Sequence, residues 1–334
     1  MDEDKVMNRL QQKQDPDGVV ISVVIATFNG FEYIERCLNS FTEQSIGPDS
    51  YEVIVVNNNS TDNTEQLVAK YIRQYNNFFL IDEKQPGVSF ARNKGISITR
   101  GQYIAFIDDD AYADKDWLKN IVHAYETVTP KPVVIGGRIL PYYEIEKPKW
   151  FNDSFEIRTK GKEPHFLNEN DCKFGFPESN LSITKKIFEE VGGFSTQYGP
   201  AGAKMKFGEG SELSRRISEE YPYFWYDPGI IVYHLVPERN MSVKYILSRR
   251  SKSAYIYQSF RTPSESILMN IFILCSCIVR IILNALFSIF LVRWGTRKAI
   301  SDWLSHMIPL VNCTSRSIYI LKYFLKIESA PSYE

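Results

Sequence analysis

The sequence predicts an α/β fold, a mainly parallel sheet with helices on both faces. Three observations predict it. Short apolar runs rich in Val, Ile and Phe recur up to residue 107, helix-length amphipathic stretches separate them, and the runs end in polar or acidic residues. Continuous apolar runs mark strands buried on both faces, and their alternation with helices predicts parallel crossovers. Charge at the carboxyl ends of strands marks the edge where open α/β sheets bind ligands.

The elements follow in order. Residues 1–18 read as a flexible polar leader without the apolar stretch of a secretion signal, which predicts a catalytic part that stays in the cytoplasm. Val19 to Ile25 predicts a first strand and about Glu32 to Gln44 a first helix. Tyr51 to Val56 predicts a second strand and about Thr64 to Tyr75 a second helix. Phe78 to Asp82, Ser89 to Thr99 and Gln102 to Ile107 complete a βαβαβαβ order. From Lys131 to Lys173 the chain is dense in Pro, aromatic residues and charge, and reads as an irregular surface crossing or a loop over a substrate.

With 334 residues, 44% hydrophobic and 24% charged, the chain has ample material for one large or two modest domains. Its net charge of -1 hides an asymmetry: residues 239–334 carry 13 Lys+Arg against 4 Asp+Glu, and the rest carries 26 against 36. An acidic N-terminal two-thirds argues against nucleic-acid binding, and a basic, apolar C-terminal third predicts contact with an anionic membrane surface. The five cysteines, Cys37, Cys172, Cys275, Cys277 and Cys313, lack metal-ligand spacing and read as reduced core or membrane residues.

The chemistry starts at Asp108-Asp109-Asp110, directly after the fourth strand. Clustered carboxylates at a sheet edge ask for a cation, although an acidic turn alone also serves as a helix cap or a solvated loop. The neighbouring motifs decide between these. Ile25-Ala26-Thr27-Phe28-Asn29, Val55-Val56-Asn57-Asn58-Asn59-Ser60-Thr61-Asp62, Ala91-Arg92-Asn93 and the acidic triplet occur in that order, each at a strand end or helix start. Phe176-Pro177-Glu178-Ser179-Asn180, Val191-Gly192-Gly193-Phe194, Gly208-Glu209-Gly210-Ser211-Glu212-Leu213 and Val232-Tyr233-His234 follow.

Over roughly residues 20–236 this ordered set resembles the family 2 glycosyltransferases, of the bacterial polysaccharide and envelope-glycan type, which have the GT-A fold. The resemblance implies a nucleotide-sugar-binding half at residues 19–125 and an acceptor-binding, catalytic half at 126–238 of the same domain. It implies a divalent ion, Mn²⁺ or Mg²⁺, held by Asp110, with His234 a second metal or diphosphate ligand, and this ion neutralises the leaving diphosphate. Asp108 then faces the ribose, Asp109 belongs to the same donor edge, and Arg92 pairs with phosphate oxygens. Thr27, Asn29, Asn57 and Asn59 hold the base and ribose. Many members have Asp where this chain has Asn57.

An attacking acceptor hydroxyl must lose a proton to a carboxylate opposite the leaving group. Members of the family show Glu-Asp, one residue, an acid and Leu at this point. Here Glu209-Gly210-Ser211-Glu212-Leu213 has Gly210 in place of the Asp, which leaves Glu209 as the first choice of base and Glu212 as the second.

Residues 239–334 read as a helical, membrane-associated region. The 26 residues from Ile267 to Val292 are long enough to cross a bilayer at ~1.5 Å per residue. Arg280 sits at their middle, and basic residues flank both ends, so an in-plane or re-entrant arrangement at the cytoplasmic face of the membrane is expected. The functional expectation is an enzyme moving one sugar from a nucleotide donor to a lipid-linked or envelope glycan acceptor by inverting displacement. Two alternatives stand beside it. Gly210 motivates a donor-binding scaffold that has lost catalysis, and a nucleotidyltransferase ranks last because Thr27-Phe28-Asn29-Gly30 has one Gly and no Lys.

Overall fold

The structure, a computed structural model, describes residues 18–259 except 198, 202, 203 and 207, and adds only 275, 276, 279 and 282 beyond them. The side chains of 199–201, 204–206 and 253–259 are outside the description. The expected leader, apart from Gly18, and the expected apolar run, apart from those last four residues, therefore lie outside it.

The first half follows the predicted order. Strands β1 (Ile21–Thr27), β2 (Tyr51–Asn57), β3 (Phe78–Asp82) and β4 (Tyr103–Phe106) form a parallel sheet in the order β3-β2-β1-β4. Helices α1 (Ile34–Thr42), α2 (Thr64–Gln74) and α3 (Val88–Ile96) connect them. Side chains alternate across the pleat. Ile21, Val23, Ile25, Val53, Val55, Phe78 and Leu80 face α1, α2 and the later helix α4 (Trp117–Thr127). Val24, Ile54, Val56, Phe79, Ile81, Ile104 and Phe106 face Ala91 of α3 and residues of the second half. Both faces are thus covered, which is why these strands read as unbroken apolar runs. In α3, a Cβ on Gly95 would strike Val24, so the helix packs close and brings Arg92 to the sheet edge.

The second half departs from the expectation of a mainly parallel sheet. Strands β5 (Ala111–Ala113), β6 (Val134–Tyr142), β7 (His165–Phe166), β8 (Leu181–Thr184) and β11 (Phe224–Leu235) extend the same sheet, and it is mixed. β8 lies antiparallel between β4 and β6, β6 is parallel to β11, and β11 is antiparallel to β5 and β7. Short β9 (Gly199–Ala201) and β10 (Lys204–Lys206) pair separately. Helices α5 (Glu169–Cys172), α6 (Lys185–Val191) and α7 (Glu209–Glu220) complete this half.

The stretch expected to be irregular contains β6. Its apolar pattern is interrupted by Gly136 and Gly137, and the structure explains both: a Cβ on Gly136 would enter the Phe176 ring and one on Gly137 would strike the Ile230 backbone. Glycine inside a strand here marks close approach of neighbouring chain.

The chain divides into two units, one built from the residues up to Tyr142 together with Glu156–Leu235, the other from Tyr143–Phe155 together with the residues from Val236. The second unit has its own small core of Phe151, Phe155, Val236, Met241 and Ile246, and includes α8 (Val243–Ser259). Arg249 Nη2 donates to the Phe155 carbonyl at 2.7 Å and ties that helix down. Among the described residues, no helix is long and apolar enough to cross a membrane.

Candidate active site

The register of the parallel strands sets Thr27, Asn57 and Asp82 side by side at the carboxyl edge of the first unit's sheet. Two asparagines take left-handed backbone in the turns beyond it, Asn29 at φ 54° and Asn59 at φ 65°, a conformation that Asn tolerates better than most residues. Their side chains fold the loops. Asn29 Oδ1 accepts from the Thr61 amide at 2.8 Å, and Asn59 Nδ2 donates to the Lys84 carbonyl at 3.0 Å. Asn57 Nδ2 donates to Asp82 Oδ1 at 2.9 Å while its Oδ1 accepts from the Ser60 amide at 3.0 Å. The four residues expected at the base and ribose therefore share one edge, with Asn57 coupled to an acid, Asp82, that the sequence pattern did not single out.

Thr27 Oγ1 donates to Asp109 Oδ2 at 2.6 Å, joining the β1 turn to the acidic triplet. Gly30 makes room for that contact, since a Cβ there would meet both groups. Burial pushes Asp109 up to about 7, its bond to Thr27 opposes the rise, and Asp110 and Asp108 add to it.

His234 reaches the triplet through the antiparallel pairing of β11 with β5, which sets His234 opposite Ala111. The Leu235 amide also donates to the Asp110 carbonyl at 3.0 Å. His234 Nε2 then lies 3.4 Å from Asp110 Oδ1 and 3.7 Å from Asp108 Oδ2. One ligand atom from each of Asp108, Asp110 and His234 falls within 4.8 Å of the others, and two hard carboxylate oxygens with one imidazole nitrogen suit a divalent ion such as Mn²⁺. The structure thus brings the expected metal pair together and adds Asp108, the expected ribose partner, to it.

Within the cluster, opposite charges sit against one another. Burial disfavours the charged His234, but its hydrogen bond to Asp108 and the charges of Asp110 and Asp108 raise it to about 9. Burial would likewise raise Asp108, yet His234 and Arg92 hold it at about 2. A histidine raised from 6.5 to about 9 gives stability that is complete below pH 6.5 and lost as pH climbs through 9. Asp108 contributes only above its ordinary value of 3.8 and loses its share as pH falls toward 2. Thermal melts of metal-free protein are expected to weaken between pH 6.5 and 9 by at most about 3 kcal/mol, with that slope reduced in His234→Asn. Mn²⁺ titrated calorimetrically should bind more tightly over the same range, because the ion displaces the proton on His234.

Arg92 projects from α3 into the space behind the triplet and is 8% exposed. Its Nη2 lies 3.2 Å from Asp108 Oδ1 and its Nη1 3.3 Å from Glu209 Oε1. Glu209 opens α7 after Gly208, whose φ of 104° only glycine takes easily. Glu212 is turned away from this network. It accepts from Arg216 at 2.6 and 3.0 Å, and the same guanidinium donates to the Val191 and Gly193 carbonyls at 2.6 Å. Of the two acids expected as base, Glu209 joins the Arg92 cluster and Glu212 anchors the Gly192-Gly193 turn.

Beside the cluster lies a cavity of about 380 Å³ lined by Gly137, Arg158, Lys160, Phe174, Phe176 and Glu178, among others. The cavity connects to the cluster through Glu178, whose carboxylate lies against Gly210, the neighbour of the Glu209 that pairs with Arg92. Glu178 belongs to the Phe176-Pro177-Glu178-Ser179-Asn180 motif but has no role assigned there, and nothing in the sequence pattern singles out Arg158. The sign in the sequence that bears on the role of Glu178 is the glycine at 210, where an acid was expected.

Residues 22–192 match the domain described as Glycosyl transferase family 2, about half of the chain. A curated relative from Haloferax volcanii, glucosyl-dolichyl phosphate glucuronosyltransferase, is 30% identical over 213 residues, which are 60% of this chain and 64% of that protein. The match thus spans less than two thirds of that relative. Among solved structures, S. aureus TarS 1–349 is similar with a TM-score of 0.54 at 16% identity, covering 92% of each chain. A mannosyltransferase from Pyrobaculum calidifontis, PcManGT in complex with GDP-Man and Mn²⁺, is similar with a TM-score of 0.55 at 17% identity, covering 98% of this chain and 82% of that one.

Proposed function

The chain belongs to glycosyl transferase family 2, and from that premise we propose that it moves one sugar from a nucleotide-diphosphate sugar to an acceptor hydroxyl by a metal-dependent, inverting displacement. The observation that carries the reading is the convergence of Asp108, Asp110 and His234 at the edge that also holds Thr27, Asn57 and Arg92. A divalent ion held by Asp110, His234 and Asp108 would supply Lewis-acid neutralisation of the leaving diphosphate. Arg92 keeps the carboxylates around it charged and fixed, while Thr27 and Gly30 hold Asp109 behind the ligand face. The mannosyltransferase complex with GDP-Man and Mn²⁺ supports the donor class and the cation.

The acceptor is a lipid-linked glycan, a reading supported by the relative named for glucosyl-dolichyl phosphate and by the basic, apolar residues 239–334. That region holds the enzyme on the anionic, cytoplasmic face of the membrane. The test is release of nucleoside diphosphate from UDP-glucose, UDP-N-acetylglucosamine, UDP-glucuronic acid and GDP-mannose, with and without Mn²⁺, in mild detergent. Mn²⁺-dependent turnover of one donor is expected. Binding of a donor without any turnover would favour the scaffold reading instead.

A further inference from the structure

The segment that carries Glu178 is fixed at both ends. Phe176 packs over Gly136 of β6, and Asn180 Nδ2 donates to the carbonyls of Arg138 at 2.8 Å and Ile230 at 3.0 Å. Trp117 Nε1 donates to Asn180 Oδ1 at 2.9 Å, closing the set. Between these anchors Glu178 points its carboxylate at the first turn of α7. A Cβ at residue 210 would fall on Glu178 Oε1 and Cδ. Gly210 is therefore the space in which the Glu178 carboxylate sits, and the acid missing from α7 is replaced by one delivered from the facing loop. Glu178 also lines the cavity beside the cation cluster, and Glu209 is not among its lining residues. Burial raises the Glu178 carboxyl, Arg92 pulls it back and Glu209 adds to the rise, so this acid holds a proton more readily than a surface glutamate.

We propose that Glu178 is the general base of the transfer, standing where a carboxylate on residue 210 would otherwise stand and facing an acceptor bound in the cavity that Arg158 and Phe176 line. The assignment rests on the transferase reading above. In the step, the acceptor O–H gives its proton to Glu178, the freed oxygen pair bonds to the anomeric carbon, and the bond from that carbon to the diphosphate breaks. The electron pair of the broken bond leaves with the nucleoside diphosphate, and no oxidant or reductant takes part. Arg158, with Lys160 held 3.4 Å from Asp171 beside it, gives the cavity a positive side, which fits an acceptor that carries phosphate.

The test compares wild type, Glu178→Gln and Glu209→Gln. It measures nucleoside-diphosphate release from the donor that turns over, with short-chain polyprenyl phosphate glucose and with water alone, and nucleoside-diphosphate affinity by calorimetry. Glu178→Gln is expected to lose about 10²–10⁴-fold in turnover with both acceptors while keeping nucleotide affinity within about threefold. In Glu178→Ala/Gly210→Asp, a carboxylate returned to α7 is expected to recover at least about tenfold over Glu178→Ala. Turnover of Glu178→Gln within threefold of wild type overturns the assignment, as does a larger loss in Glu209→Gln. A fall in nucleotide affinity that matches the fall in turnover also overturns it, because Glu178 would then only support the donor site. A wild-type protein that turns over no donor sinks the transferase reading itself, a result separate from any ranking of the variants.

Discussion

Asp110→Asn is expected to lower sugar transfer by about 10³-fold or more while the protein melts at nearly the wild-type temperature. Lewis-acid stabilisation of a leaving diphosphate is worth several kcal/mol, and each 1.36 kcal/mol is a factor of about ten in rate. Asp110 supplies one of two carboxylates in the three-residue set, so its loss leaves a divalent ion with Asp108 and His234. Folding should survive, because burial and the Asp108 charge raise the Asp110 carboxyl despite the opposing pull of His234, and a neutral amide removes the buried charge while Asp108 stays beside His234. The neighbouring residue provides the contrast. Asp109 is spent on Thr27, and Asn at 109 can still accept that hydrogen bond, so Asp109→Asn should cost far less than Asp110→Asn. Mn²⁺ binding by calorimetry, alongside turnover, decides the matter: unchanged Mn²⁺ affinity in Asp110→Asn removes it from the metal site.

The part of the fold that could be read from the sequence is the part governed by local periodicity. β1 to β4 are covered on both faces by helices, so their burial is written into consecutive Val, Ile and Phe residues. The acidic triplet could be placed because it follows β4 immediately. β6 could not, because its two glycines answer to Phe176 and Ile230, which lie some 40 and 90 residues further along the chain. The antiparallel insertion of β8 has the same character: its four residues make sense only between β4 and β6.

The site divides in the same way. Arg92, Asp108, Asp110 and His234 were legible as members of ordered motifs, and the structure gathers them. Asn29 and Asn59 look like ligand contacts in sequence, yet their amides are occupied in folding the β1 and β2 turns. Glu178 stood in the Phe176-Pro177-Glu178-Ser179-Asn180 motif without a role of its own, and a helix and a loop must be packed together before its carboxylate appears in the place of the lost acid at 210.

That packing makes Arg92 the cation between Glu178, Glu209 and Asp108, and the second large effect follows from it. Arg92 is the cation that Glu178, Asp108 and Glu209 all act upon, and both of its ion-pair partners accept from separate nitrogens. Arg92→Met keeps the bulk and leaves Glu178 and Glu209, the latter 8% exposed, without their cation, while Asp108 keeps His234. Removing one partner of a buried pair costs about 3–5 kcal/mol, most of it the penalty on the stranded charge. The sign with pH distinguishes this from lost packing. Acids stranded without a counter-charge hold protons more tightly folded than unfolded, so their penalty is absent below the ordinary carboxylate range and grows as pH rises through it. The melting temperature of Arg92→Met is therefore expected to lie nearest to wild type at about pH 5 and furthest below it at pH 7 to 8. Adding Glu209→Gln should recover part of the loss, since an amide needs no counter-charge. A deficit that is the same at pH 5 and pH 8 would assign the effect to packing against Phe194, over whose ring the guanidinium lies at 5.4 Å, rather than to charge.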